Sequence, residues 1–296
     1  MSAISEAYRI RINRDCFGAD PTHDPLPDEM PFLSSNSVMV DLADVAFVRP
    51  SGLAFVFALT FTLLRAGYSV TIREPEVIAA RDYLVRTNFW GIMEQQGFEI
   101  PATWRGFNLG GAQGLIEPSI VRTDASTRDN VETSVLLFER LRRALDRAGL
   151  RGRERAASVF SELSLNAAEH SLSPRGAFVM AQAYPANEEI EIAVADVGRG
   201  IRGSLGPDRF ATDVEAALAA LREEVTGRRD AGGNPAEGGY GLPSVAAEAD
   251  YLEIRTGNVL LEGSHARNPQ GELVLSPRTV SALDGTLVVA IVSTQR

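Results

Sequence analysis

Ile190-Glu-Ile-Ala-Val-Ala-Asp196-Val-Gly198-Arg-Gly200-Ile201 opens as an apolar strand, ends it on an aspartate and turns on two glycines. The strand has a neighbour just upstream, since Gly176 to Tyr184 is a second apolar run. Only Pro185-Ala-Asn187 and a short flank separate the two, which makes them a hairpin and the sheet antiparallel. Two helices precede the hairpin. Val131 to Arg147 carries an apolar stripe at Val135, Leu136, Phe138, Leu141, Ala144 and Leu145, and Gly149 and Gly152 stop it. Arg153 to Leu172 is the second. Downstream, Tyr240 to Ala249 reads as helix, and Leu252 to Arg255, Leu260 to Glu262 and Thr286 to Val292 read as strands. This half is therefore a set of helices laid on a mainly antiparallel sheet, an α+β sandwich.

The first half has a different rhythm. Residues 7–13 alternate in polarity as an edge strand, and residues 15–31, rich in Asp and Pro, form an irregular connection. Ser37 to Leu42 reads as a strand, Leu53 to Leu64 as a helix closed by Ala66-Gly67, Tyr68 to Ile72 as a strand and Glu76 to Asn88 as a helix. Strand–helix–strand–helix order implies a parallel or mixed sheet with helices on it. Residues 98–129 are poorly periodic, which places a boundary near residue 120. The expected domains are 1–120 and 121–296, as the chain length of 296 suggests.

Composition narrows the function classes. Hydrophobic residues at 45% and charged residues at 23% exclude wholesale disorder. With 29 Lys+Arg against 39 Asp+Glu the net charge is -10, which argues against a nucleic-acid surface. A phosphate ligand held by backbone amides stays compatible with that charge. Cys16 is the only cysteine, so neither an internal disulfide nor a cysteine zinc site can form. Gly52 to Leu64 is too short for a membrane helix, and the N-terminus lacks a secretory pattern. The expectation is a soluble cytoplasmic protein without a membrane or nucleic-acid partner.

Three segments carry chemistry. Glu162-Leu-Ser-Leu-Asn166-Ala-Ala-Glu169-His170 puts Glu162 and Asn166 four apart, on one helix face. A carboxylate beside an amide can orient a water and offer oxygen to a hard cation, although alone the pair is an ordinary solvated face. Asp196 at a strand end can accept from a ligand amino group, and Gly198 and Gly200 let backbone approach a ring or phosphates. A plain turn reads equally well. Gly238-Gly239-Tyr240-Gly241-Leu242-Pro243 enters a helix, and its amides suit phosphate or simply a hinge. Neither glycine cluster is a dinucleotide fingerprint or a Walker A loop.

In their order and spacing these segments resemble the GHKL ATPase superfamily, which includes gyrase B, Hsp90, MutL and the ATP domains of histidine kinases and anti-sigma serine kinases. Glu162 and Asn166 look like its N-box. Asp196, Gly198 and Gly200 look like the first glycine box, Gly239 and Gly241 like the second, and Asp284-Gly285-Thr286 like the late Gly-Thr. The resemblance covers about residues 125–296 and implies a Bergerat fold holding ATP or ADP with Mg²⁺. It assigns Asp196 to the adenine amino group with Thr286 assisting, Asn166 to Mg²⁺ and Glu162 to the attacking nucleophile as the catalytic residue. Gly198, Gly200, Ile201, Gly238, Gly239, Tyr240, Gly241 and Leu242 line the nucleotide. Residues 203–237 become a lid, with Arg228 and Arg229 reaching the γ-phosphate. The helix at 131–147 holds no histidine, so a complete sensor histidine kinase is disfavoured, and His170 is a local hydrogen-bonding residue. The Glu-His-Ser ending resembles anti-sigma serine kinases, which often dimerise.

Val38-Met-Val-Asp-Leu-Ala-Asp-Val-Ala-Phe-Val-Arg-Pro-Ser-Gly-Leu53 resembles the core of a STAS domain, the anti-sigma-factor antagonist fold, over about residues 35–97. There Ser51 matches the phosphorylated serine, but Arg49 and Pro50 replace the usual acidic residue and first serine. Ser51 is thus either a regulatory phosphosite or a cap of the following helix. The resemblances imply an ATPase or serine/threonine kinase acting on a sigma-factor-like or antagonist-like partner in bacterial partner switching. The alternative is a non-catalytic module whose lid and surface are switched by nucleotide. The first domain is expected near the lid or the helix from Val131, gating the site.

Overall fold

The computed structural model describes residues 7–12, 36–101, 104, 115–123, 127–222, 241–264 and 273–295. Parallel strands need crossovers, and the first hundred residues supply them. Strands β1 (Tyr8–Arg11), β2 (Ser37–Asp41) and β3 (Ser69–Arg73) form a parallel sheet in the order β1-β2-β3. Helix α1 (Pro50–Arg65) crosses from β2 to β3. Pro50 opens it, where a missing N–H costs nothing, and Gly67 takes φ +92 just past its end. Two helices follow, α2 (Ile78–Arg86) and α3 (Phe89–Gln95). Sequence periodicity did not reveal α3, which restarts the chain after Asn88 at a left-handed φ of 56.

The second sheet is antiparallel, in the order β4-β5-β6-β8-β7, so the chain is mixed α+β. Its strands are β4 (Leu115–Val121), β5 (Ala177–Tyr184), β6 (Glu189–Asp196), β7 (Tyr251–Ser264) and β8 (Ser276–Ser293). Its helices are α4 (Thr127–Arg147), α5 (Arg153–His170), α6 (Gly200–Leu205), α7 (Asp213–Ala219) and α8 (Gly241–Glu248). β4 lies in the stretch that sequence left irregular. It tolerates Pro118 because it is an edge strand, bulged between Ile116 and Ser119. The two short strands expected at 252–262 are one strand, bulged around Gly257. Asp284-Gly285-Thr286 lies within β8 rather than opening it.

Alternation along β5, β6 and β8 sorts their side chains between two cores. One face sends Val179, Ala181, Ile192, Val194, Val288 and Ala290 against Leu141, Phe160, Leu163, Ala217 and Val245 from the helices. The other sends Phe178, Met180, Ala193, Ala195, Leu287 and Val289 against Phe57, Leu59 and Leu63 of α1, in a core shared with Val38 and Val40 of the first sheet. Rings Phe57 and Phe178 lie 5.4 Å apart there. α1 is thus wedged between two sheets, and a helix covered on all sides must be apolar all round. The first unit therefore packs opposite α4, α5 and α8, and the expected position beside the helix from Val131 is overturned. No helix among the described residues is long and apolar enough to cross a membrane.

Candidate functional site

β6 ends on Asp196, and the chain must turn there. Its carboxyl is buried, 4% exposed, and Oδ1 accepts from the Gly198 N–H at 2.8 Å, an aspartate turn. The Thr286 N–H, on the paired strand β8, also donates to it. Burial pushes this carboxyl up to about 7, against the opposing pull of the two amides.

The glycines around Asp196 serve the protein's own packing. A Cβ on Gly198 would lie 1.9 Å from the Ser171 carbonyl oxygen, which accepts from the Arg199 N–H at 2.9 Å. A Cβ on Gly285 would lie 2.1 Å from the Asp196 carbonyl, and its φ is +76. Gly200, at φ +68, packs toward Thr256 and Gly285. Room for a ligand was the expected reason for both glycines; beside Gly198 a backbone carbonyl already fills that space, whereas beside Gly200 the nearest atom is the Thr256 hydroxyl, 3.0 Å from where a Cβ would lie. Thr256, which sequence reasoning missed, ties these turns together. Its Oγ1 accepts from the Ile201 N–H and donates to the Gly285 carbonyl, both at 3.1 Å. A threonine before a glycine was its only signal.

α5 joins the two halves of the site. At its end, Ser171 meets the Gly198 turn, and the His170 carbonyl accepts from Arg199 Nε at 2.8 Å. Earlier, half-buried Glu162 and Asn166 lie one turn apart. Asn166 lies against Gly241, the first residue of α8, where a Cβ would come within 2.5 Å of the amide nitrogen. That Nδ2 is buried and has no partner among the described residues. Ile201 is buried in the helix-side core, and Leu242 packs against that core. The structure thus groups Asp196, Gly198, Gly200, Ile201 and Thr286 around the turn that meets α5's end, and Asn166 with Gly241 one turn farther back on α5. Gly238, Gly239, Tyr240, Arg228 and Arg229 lie outside the described residues. The start of the stretch expected as a lid is packed structure: Ala216 and Ala217 of α7 are fully buried, and Asp213 accepts from the Asn258 N–H at 3.2 Å.

Ser51 lies elsewhere, at the start of α1. Its N–H donates to Glu191 Oε1 at 2.8 Å, so the helix is capped by a carboxylate from β6. Arg49 forks between Glu191 and Glu189, with its guanidinium 4.5 Å from the Tyr184 ring. Burial alone would lower the Arg49 pKa, but the two carboxylates outweigh it and raise it. The Ser51 hydroxyl is buried without a partner among the described residues and makes no cap bond, so it does not cap the helix as one reading expected. A phosphoryl group there would enter a closed interface beside Glu191.

No family model matches the chain, and no curated protein matches it.

Proposed function

We propose that the chain is an ATP- and Mg²⁺-binding regulatory protein of GHKL type, a serine/threonine kinase or ATPase of bacterial partner switching. The carrying observation is the Asp196 carboxyl. It is buried, and its hydrogen bonds among the described residues come from backbone amides alone. A buried acid without a cation is a cost to the fold, and such groups concentrate at sites where a ligand supplies the missing donor. An adenine amino group is such a donor.

The orphaned amide of Asn166, against the first residue of α8, fits the phosphate side. Its nitrogen would donate to a phosphate oxygen, and its Oδ1 would hold Mg²⁺. Bound Mg²⁺ would neutralise phosphate charge. Glu162, one turn away on α5, would take the proton of the attacking hydroxyl or water. A cytoplasmic location and a regulatory protein partner belong to the same reading.

The test is equilibrium binding of ATP with Mg²⁺ to the full chain. Asp196→Asn should weaken binding at least about tenfold, since it puts an amide nitrogen toward the adenine donor. Asn166→Ala should lose the Mg²⁺-dependent part. Undiminished binding by Asp196→Asn would overturn the assignment.

A further inference from the structure

The first unit touches the Asp196 end of the second sheet at two points. Thr62, near the end of α1, is buried, and its Oγ1 accepts from the Asp284 N–H at 3.1 Å. Arg65, one turn on, donates to the Val197 carbonyl at 3.3 Å and lies 3.7 Å from the Asp284 carboxylate. Val197 follows Asp196 and precedes Gly198, one of the two amide donors to the carboxyl. Asp284 precedes Gly285 and Thr286; Gly285 presses on the Asp196 backbone, and Thr286 is the second donor. The end of α1 therefore holds both turns that hold Asp196. The Thr62 bond is partly buried and outweighs the more exposed Arg65 ion pair, which solvent screens.

We infer that Thr62, assisted by Arg65, is a positioning residue for Asp196, so that the first unit shapes the nucleotide pocket from behind the sheet. This rests on the nucleotide reading above. It replaces gating from the lid side with bracing through the opposite face. Any movement of α1 against the second sheet would reach the adenine contact through Asp284 and Val197.

The test uses the full chain with Thr62→Val, which keeps the shape and removes the acceptor, and Thr62→Ser, which restores it. Affinity is measured for ATP and for the inosine nucleotide, which lacks the 6-amino group. Thr62→Val should weaken ATP about fivefold to tenfold and leave inosine triphosphate unchanged, with Thr62→Ser near wild type. General loosening of the fold would weaken both nucleotides together. Hydrogen exchange on the nucleotide-free chain is the second readout: the Gly198 and Thr286 amides should exchange about tenfold faster in Thr62→Val alone. An unchanged ratio of ATP to inosine affinity, in a chain that binds ATP, overturns the inference. If the wild-type chain binds neither nucleotide, the nucleotide reading falls, and exchange decides the brace. Faster exchange then supports it, and unchanged exchange overturns it.

Discussion

Replacing Asp196 with Asn should make the nucleotide-free chain more stable at alkaline pH while removing its adenine contact. Burial raises this carboxyl from its ordinary 3.8 to about 7. Between those values the folded chain holds a proton that the unfolded chain has released. Unfolding free energy must therefore fall as pH rises through that window, by up to about 1.4 kcal/mol per pH unit. The stabilisation is complete below pH about 4 and gone once pH passes about 7, on the order of 4 kcal/mol in all. Asn cannot ionise, so it escapes this loss. It keeps an oxygen for the Gly198 N–H but offers the backbone amides one acceptor oxygen fewer, at about 1 kcal/mol. The variant should thus be slightly less stable than wild type at pH 4 and more stable at pH 8, by roughly 2–3 kcal/mol. Urea denaturation at several pH values, followed by fluorescence of buried Trp90, measures the difference. Glu253, also raised to about 7 by burial, titrates in both chains and cancels. Parallel stability curves for the two chains would refute the premise that burial holds a proton on Asp196 in the folded chain. The same premise couples binding to protons. An adenine amino group favours the ionised carboxyl, so ATP binding below pH 7 should release a proton, visible by calorimetry in buffers of different ionisation enthalpy.

Glu162→Gln should abolish phosphoryl transfer or hydrolysis while leaving ATP affinity within about twofold, because it keeps the shape and removes the base. Retained turnover would remove Glu162 from the chemistry, and intact signalling without any turnover would favour a nucleotide-switched binding module. Glu191→Gln should destabilise the chain by about 2–3 kcal/mol in urea melts, since it uncouples a buried carboxylate from Arg49 and from the α1 N-terminus. A loss below about 1 kcal/mol would mean that apolar packing alone holds α1 on the sheet. Gly198→Ala should cost at least about 2 kcal/mol with or without nucleotide, because the added Cβ meets the Ser171 carbonyl. An effect seen only on nucleotide binding would restore the reading of Gly198 as room for the ligand.

The parts of the fold legible in the sequence are those with local signatures. The β5–β6 hairpin, α1, α4 and α5 each show their own periodicity and stops. β4 did not, because Pro118 and a bulge erase its alternation. The double burial of the second sheet left a trace, since α1 has no polar face and residues 177–181 of β5 and 192–195 of β6 are apolar on both alternations. Which surfaces meet is a different matter. Arg49 and Glu191 are 142 residues apart, and neither stands in a pattern that points to the other. Glycine is the hardest letter to interpret, because an absent side chain looks the same whether a ligand or the protein's own backbone takes the space. At Gly198 and Gly285 the occupants are carbonyl oxygens, which every residue has and no sequence marks. At Gly241 the neighbour is the side-chain amide of Asn166, and a side chain is a letter that can be read. The sequence reading gave Asn166 and Gly241 separate roles, one toward Mg²⁺ and one toward phosphate, and their contact is a product of the fold. At Gly198 a carbonyl contact accounts for the missing side chain without any ligand.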